Sequence, residues 1–240
     1  MVKIIGFILT KNNADLIETA FKKIPNSIDA FFVSDDNSND NIEKVCIENK
    51  VNIYKNLLPN GYGGNIKNAL NIAFTKLNAD YAVEIHGDGA QFDPIATNYA
   101  LDMLKEKNVD FVLGSRFKLL NENIKLGYPL SRMIPNLIIS SIERIILNLP
   151  ISDFHQGYRV YSKKMYKKIN QYDLSNNYLF SFQCILLAKK ENLVISEVPV
   201  LCDYISPHTS HKLFGKNSAF TYQIETFKLI LKYLLFNKIN

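Results

Sequence analysis

Asp88 lies between two glycines in His86-Gly-Asp-Gly-Ala-Gln91, directly beyond a short run of strand formers, Tyr81 to Ile85. Hard divalent cations take oxygen ligands and leave coordination positions open to substrate phosphates. Asp88 with Gln91, assisted by His86, is therefore a candidate magnesium or manganese site. An acidic turn without a metal accounts for the same residues, so the weight falls on the other polar stretches. In Asp35-Asp-Asn-Ser-Asn-Asp40, Asp36 can accept hydrogen bonds from a nucleobase or ribose, and Ser38 can cap the helix that follows. Asn60-Gly-Tyr-Gly-Gly-Asn65 opens a helix, where glycines let backbone amides approach a diphosphate.

Two familiar glycine motifs are missing. The loop from Thr10 to Asp15 contains no glycine, so the dinucleotide fingerprint is absent from the place it must occupy. Gly215-Lys216 is followed by Asn217, which is not a P-loop. Dehydrogenase and P-loop chemistry are thereby set aside.

The elements that must position these residues alternate. Strand patterns at Lys3 to Leu9, Ala30 to Ser34, Val51 to Lys55, Tyr81 to Ile85 and Val109 to Gly114 are separated by helical patterns at Ala14 to Ile24, Ile42 to Asn49, Ile66 to Leu77 and Pro94 to Lys107. Such alternation predicts βαβ units and a mostly parallel sheet with its site at the carboxyl ends of the strands. The chain has 240 residues, 47% of them hydrophobic, enough for one sizeable core and an appendage. Three cysteines, Cys46, Cys184 and Cys202, stand far apart with no C-x-x-C pair. That argues against disulfides or zinc and, with no secretory pattern at the N-terminus, favours a cytoplasmic protein.

Charge is unevenly distributed. Residues 1–120 carry 13 Lys and Arg against 15 Asp and Glu, whereas residues 121–240 carry 15 against 8. A basic half implies an anionic partner. Ile134 to Leu149 and Phe220 to Phe236 are apolar and helical in spacing but carry charged and polar residues. They fall short of the roughly 20 apolar residues that span a bilayer. They read as helices that pack on the domain, join copies in a homo-oligomer, or lie peripherally on an anionic membrane at the inner face. The long polar loop Asp203 to Lys216 reads as a lid, with His208 and His211 either solvated or completing a metal shell.

Together these stretches resemble the inverting glycosyltransferases of family 2, and among them the dolichyl- or polyprenyl-phosphate sugar synthases. Leu9-Thr-Lys-Asn-Asn13 resembles the first loop of the family, Val33 to Ser38 its nucleoside-binding acids, Asn60 to Gly64 its glycine loop, and His86 to Gln91 with Pro94 its metal motif. Gly114-Ser-Arg-Phe117, Asp153-Phe-His-Gln-Gly-Tyr-Arg-Val-Tyr161 and Glu197-Val-Pro-Val200 resemble later signatures. The resemblance implies a GT-A fold, a Rossmann-like, mostly parallel sheet flanked by helices, over residues 1–205. Its nucleotide half would span 1–118 and its acceptor half 119–205, with a lid and C-terminal amphipathic helix at 206–240.

The resemblance also implies roles. Asp88, Asp153 and Arg116 would be catalytic. Thr10, Asn13, Asp36, Gly63, Lys67 and Gly87 would bind nucleotide, and Arg159, His211 and Lys212 would bind acceptor or phosphate. Asp88 and Gln91 would hold Mg2+ or Mn2+. The donor would be a nucleotide-diphosphate sugar and the acceptor a polyprenyl phosphate or a glycan, with no nucleic acid involved. A phosphate acceptor would attack without a base, whereas a hydroxyl acceptor would need one, for which Asp153 is the nominee. Arg159 is expected either to hold an acceptor phosphate or to pair with Asp153. The chain departs from the family where His86 replaces a second acid, where Gln91 stands three residues after Asp88 rather than two, and where Asn13 and Tyr62 replace an acid and a base. A binding protein that has lost catalysis is one alternative. A sugar nucleotidyltransferase is another, although it should carry a basic glycine loop where Thr10 to Asn13 stands.

Overall fold

The computed structural model describes residues 2–90, 92–205 and 219–240. Gln91, His208, His211 and Lys212 lie outside the described residues. Among the described residues the chain runs β1 (Ile4–Thr10), α1 (Ile17–Lys22), β2 (Ala30–Asp35), α2 (Ile42–Glu48), β3 (Asn52–Lys55), α3 (Gly61–Asn71), β4 (Tyr81–His86), α4 (Pro94–Glu106) and β5 (Phe111–Ser115). It continues through α5 (Leu120–Lys125), α6 (Leu130–Leu147), β6 (Arg159–Ser162), α7 (Lys163–Ile169), α8 (Leu179–Lys190), β7 (Ile195–Pro199) and α9 (Ala219–Phe236).

The strands form a seven-stranded sheet in the order β3-β2-β1-β4-β6-β5-β7. It is parallel as expected except at β6, which runs antiparallel to both β4 and β5. All four residues of β6 are buried, so the stretch shows no alternation that would mark it as a strand. Alternate residues of the central strands face opposite cores. Phe7, Ala82, Phe111 and Tyr161 join the layer that includes α3 and α8, while Ile8, Val83, Val112 and Val160 join the layer that includes α1, α2 and α4. No sequence expectation covered α7 and α8. Nine of the twelve α8 residues are buried, Ser181 and Gln183 among them, and a helix buried nearly all round presents no single apolar stripe.

Two helices turn apolar faces outward. Leu130, Ile134, Ile138, Ile142 and Ile145 on α6, and Phe220, Ile224, Phe227, Leu231, Leu234, Leu235 and Phe236 on α9, are 41–79% exposed. Among the described residues no helix is long and apolar enough to cross a membrane.

The glycine stretch forms the first turn of α3. Gly63 is required there by packing: a Cβ would lie 2.5 Å from Phe180 Cβ, 2.6 Å from the Ser175 carbonyl oxygen and 2.7 Å from that of Asn177. Alanine would gain about 1 kcal/mol of helix propensity, but two fixed carbonyls cannot yield. Gly63→Ala is expected to destabilise the fold by about 1–3 kcal/mol, the usual cost of overpacking, read as a lower urea midpoint at unchanged slope. Wild-type stability in the variant would show that α3 can slide away from α8.

Candidate active site

The carboxyl ends of β2, β1 and β4 lie side by side, with Thr10 opposite Asp35 and Leu9 opposite His86 in register. Their loops are tied together. The Asp36 amide donates to Thr10 O at 3.0 Å and the Gly87 amide to Leu9 O at 3.0 Å. Asn12 N donates to Ser38 Oγ at 2.8 Å, and Asn39 N to Asn12 Oδ1 at 2.8 Å. Ser38 donates its amide and hydroxyl to Asp35. A Cβ on Gly87 would sit 2.7 Å from Leu9 O and 3.1 Å from Asn13 Nδ2, so glycine lets the β4 loop pass over the end of β1. Thr10 Oγ1, beneath these loops, is buried without a hydrogen-bond partner among the described residues.

Asp36, 3% exposed, receives four donors: Asn60 N at 2.6 Å, Gly61 N at 3.1 Å, Asn56 Nδ2 at 3.2 Å and Lys11 Nζ at 3.0 Å. Burial alone would raise its carboxyl, but the Asn60 amide and then Lys11 and Asn56 outweigh it and hold the group below the usual carboxylate range. The acid also stands at the positive end of the α3 dipole. Asn65 fastens the same helix to β2, accepting from Ser34 Oγ at 2.7 Å and donating to Ser34 O at 2.9 Å. Lys67, expected to bind nucleotide, lies about two turns into α3 and donates to Leu174 O at 2.8 Å.

Within β4 stands a group that sequence reasoning missed. Glu84, 1% exposed, accepts from Tyr62 Oη and Tyr161 Oη, each at 2.7 Å, and lies opposite Arg159 in the β4–β6 register. His86 Nε2 is 3.3 Å from Tyr62 Oη and 3.6 Å from Glu84 Oε1. Burial would lower the His86 pKa, but the Glu84 hydrogen bond and charge, aided by Asp88, raise it. Asp88 is 3% exposed, and its Oδ1 accepts from Ala90 N at 3.0 Å. The available signal was an acid inside a strand-forming run, which is costly unless partnered.

At the far edge, Asp153 pairs with Arg116 and not with Arg159. Arg116 Nε reaches Asp153 Oδ2 at 2.7 Å and Nη2 reaches Oδ1 at 2.9 Å, with the Arg116 amide donating at 3.2 Å. The guanidinium carbon sits 5.0 Å from the Tyr128 ring centroid, and Nη1 donates to Tyr204 Oη at 3.1 Å. Burial would raise Asp153, but the Arg116 charge and hydrogen bonds more than offset it and lower the pKa. Two groups expected to act on substrate thus pair with each other. Arg159, 2% exposed, has no hydrogen-bond partner at Nε among the described residues. His155, whose amide donates to Asp153 Oδ1 at 3.2 Å, ties α6 to α9: its Nε2 is 2.9 Å from Glu143 Oε2 and its Nδ1 is 3.5 Å from Tyr222 Oη.

Among the described residues no three His, Cys, Asp or Glu side chains are grouped to hold a metal. By donor type, the Asp88 carboxylate and His86 imidazole would suit a divalent ion that took its remaining ligands from a diphosphate.

Residues 7–170 match the family model described as Glycosyl transferase family 2. The chain is 27% identical over 211 residues to a UDP-N-acetylglucosamine–dolichyl-phosphate N-acetylglucosaminyltransferase of Methanococcus voltae, covering 80% of this chain and 82% of that protein. Glucosyl-3-phosphoglycerate synthase of Mycobacterium tuberculosis, solved with Mn2+, UDP-glucose and phosphoglyceric acid, superposes with a TM-score of 0.67 at 16% identity. The match covers 98% of this chain and 79% of that one. The same enzyme with Mg2+ and UDP gives 0.64 at 16% identity, over 98% and 78%. The sheet flanked by helices is the GT-A fold.

Removing Asp153 strands a buried guanidinium. Asp153→Ala is expected to cost about 3–5 kcal/mol at pH 7. Because the folded-state pKa is depressed, the pair stabilises the protein above the unfolded carboxyl pKa of about 3.9. That contribution is lost as pH falls through the folded value. Thermal melts should therefore show a wide gap between wild type and variant at pH 7 that closes under acid. Equal melting temperatures at pH 7 would refute the assignment.

Proposed function

The chain belongs to glycosyl transferase family 2, and on that premise we propose that it moves one sugar from a nucleotide diphosphate to a lipid-linked phosphate, with inversion at the anomeric carbon. The observation that carries the choice of acceptor is the state of Asp153. A hydroxyl acceptor needs a general base, and the nominated base is buried, forked to Arg116 and held at low pKa. A carboxylate whose oxygens are engaged by a guanidinium fork and whose pKa is lowered is a poor base at neutral pH. A phosphate oxygen is already anionic. It attacks the anomeric carbon from the face opposite the leaving group, the bond to the nucleoside diphosphate breaks, and that diphosphate carries away the electron pair without any proton transfer.

In this reading the nucleoside occupies the joined ends of β1 and β2. The buried Thr10 hydroxyl is a ready donor there, with Asn13 and Gly87 beside it. Asp36 meets the nucleoside by exchanging Lys11, whose side chain is 48% exposed, for a ligand group. Asp88 would hold the divalent ion. Such an ion supplies charge neutralisation at the departing diphosphate.

The outward apolar faces of α6 and α9 and the basic second half support attachment to an anionic bilayer, where a lipid acceptor resides. Each basic residue near such a surface contributes about 1 kcal/mol, screened by salt.

Two outcomes are expected. Asp88→Ala should abolish sugar transfer while leaving the melting temperature within a few degrees of wild type, and transfer at the wild-type rate would remove Asp88 from the chemistry. The protein should co-sediment with phosphatidylglycerol vesicles at low salt, less at high salt, and less when Lys228 and Lys232 become Glu. Protein remaining in the supernatant at low salt would favour a water-soluble acceptor.

A further inference from the structure

His86 stands two residues before Asp88, at the last position of β4, and the groups around its ring define which nitrogen can do chemistry. Tyr62 Oη donates its proton to Glu84 Oε1 at 2.7 Å, so toward His86 the same oxygen can only accept. Nε2 faces that oxygen at 3.3 Å and Glu84 Oε1 at 3.6 Å, two acceptors in succession. Nε2 is therefore the protonated nitrogen, and in the neutral ring Nδ1 carries the lone pair. Among the described residues Nδ1 has no hydrogen-bond partner, and the side chain keeps 21% of its surface open. A ring whose N–H faces a tyrosine–carboxylate pair and whose other nitrogen has no partner among the described residues matches the arrangement found in metal-bound imidazoles. The Tyr62 ring, stacked on Tyr178 at 4.8 Å, fixes the hydroxyl that holds it.

Building on the proposed donor site, we infer that His86 Nδ1 is a direct ligand of the divalent ion alongside Asp88, oriented from behind by Tyr62 and Glu84. An imidazole in place of a carboxylate changes the choice of metal. Magnesium prefers oxygen, whereas later first-row ions accept nitrogen increasingly well in the order manganese, iron, cobalt. The site should then discriminate against magnesium in favour of cobalt and manganese, and the residue responsible is His86.

The test uses the full chain with UDP as probe. Pulsed electron paramagnetic resonance of bound Mn2+ should reveal 14N coupling from a directly coordinated imidazole, a signature read on the wild type that needs no variant to fold. The coupling should vanish in His86→Asp and persist in His208→Gln and His211→Gln. Calorimetry should find the Co2+ to Mg2+ affinity ratio falling about tenfold or more in His86→Asp. Tyr62→Phe should keep the coupling but weaken Mn2+ binding roughly 10- to 100-fold, the usual effect of losing an orienting partner. Manganese bound through Asp88 without nitrogen coupling, or coupling that disappears with His208 or His211 instead, would overturn the inference while leaving the proposed donor site intact. Metal binding that is indifferent to Asp88→Ala would overturn both.

Discussion

The mouth of the sheet depends on one carboxylate. Asp36 takes the Asn60 and Gly61 amides at the start of α3 together with Lys11 from the β1 loop, so helix, strand end and neighbouring loop meet on two oxygen atoms. A helix start leaves amides unsatisfied, and a buried anion at that point stabilises the helix and is itself kept ionised. Asn65 adds a second tie to β2 one turn later. Remove this carboxylate and the Asn60 and Gly61 amides lose their acceptor while Lys11 loses its partner.

The other polar groups follow the same logic of mutual satisfaction. Glu84 sits in a strand buried on both faces, and its cost is met by two tyrosine hydroxyls and by Arg159 opposite. Asp153 is met by Arg116 and Glu143 by His155. Among the described residues a few buried polar atoms have no hydrogen-bond partner, Thr10 Oγ1 and Arg159 Nε among them, and these are places where a ligand or a water would be welcome.

Much of this was legible in the chain. Strands β1 to β5 and helices α3 and α4 announce themselves by period, and the polar strand ends at Thr10, Asp36 and Asp88 mark which edge of the sheet matters. What could not be read was pairing at a distance. Asp153 and Arg116 are 37 residues apart, and nothing local distinguishes that partner from Arg159, six residues downstream of Asp153. The heading of Lys67 depends on the rotation of α3 against α8, and α8 itself is buried nearly all round. The role of Glu84 was hidden because a strand pattern with a single acid looks like a solvated edge until β6 is seen to cover it.

The late antiparallel insertion of β6 has a temporal corollary. Strand β5 pairs with β6 and β7 but not with β4, so the growing chain must make β4, leave its edge open, make β5, and wait for residues 159–162 before the two can be joined. At about 5–20 residues per second that interval is roughly 4–15 s of synthesis. Throughout it the β4 edge lacks its neighbour and Glu84 lacks Tyr161 and Arg159, and an open edge is the kind that invites pairing with other chains. The arrival of Arg159 closes the sheet and neutralises the acid in one event, which makes this four-residue strand the keystone of assembly on the ribosome.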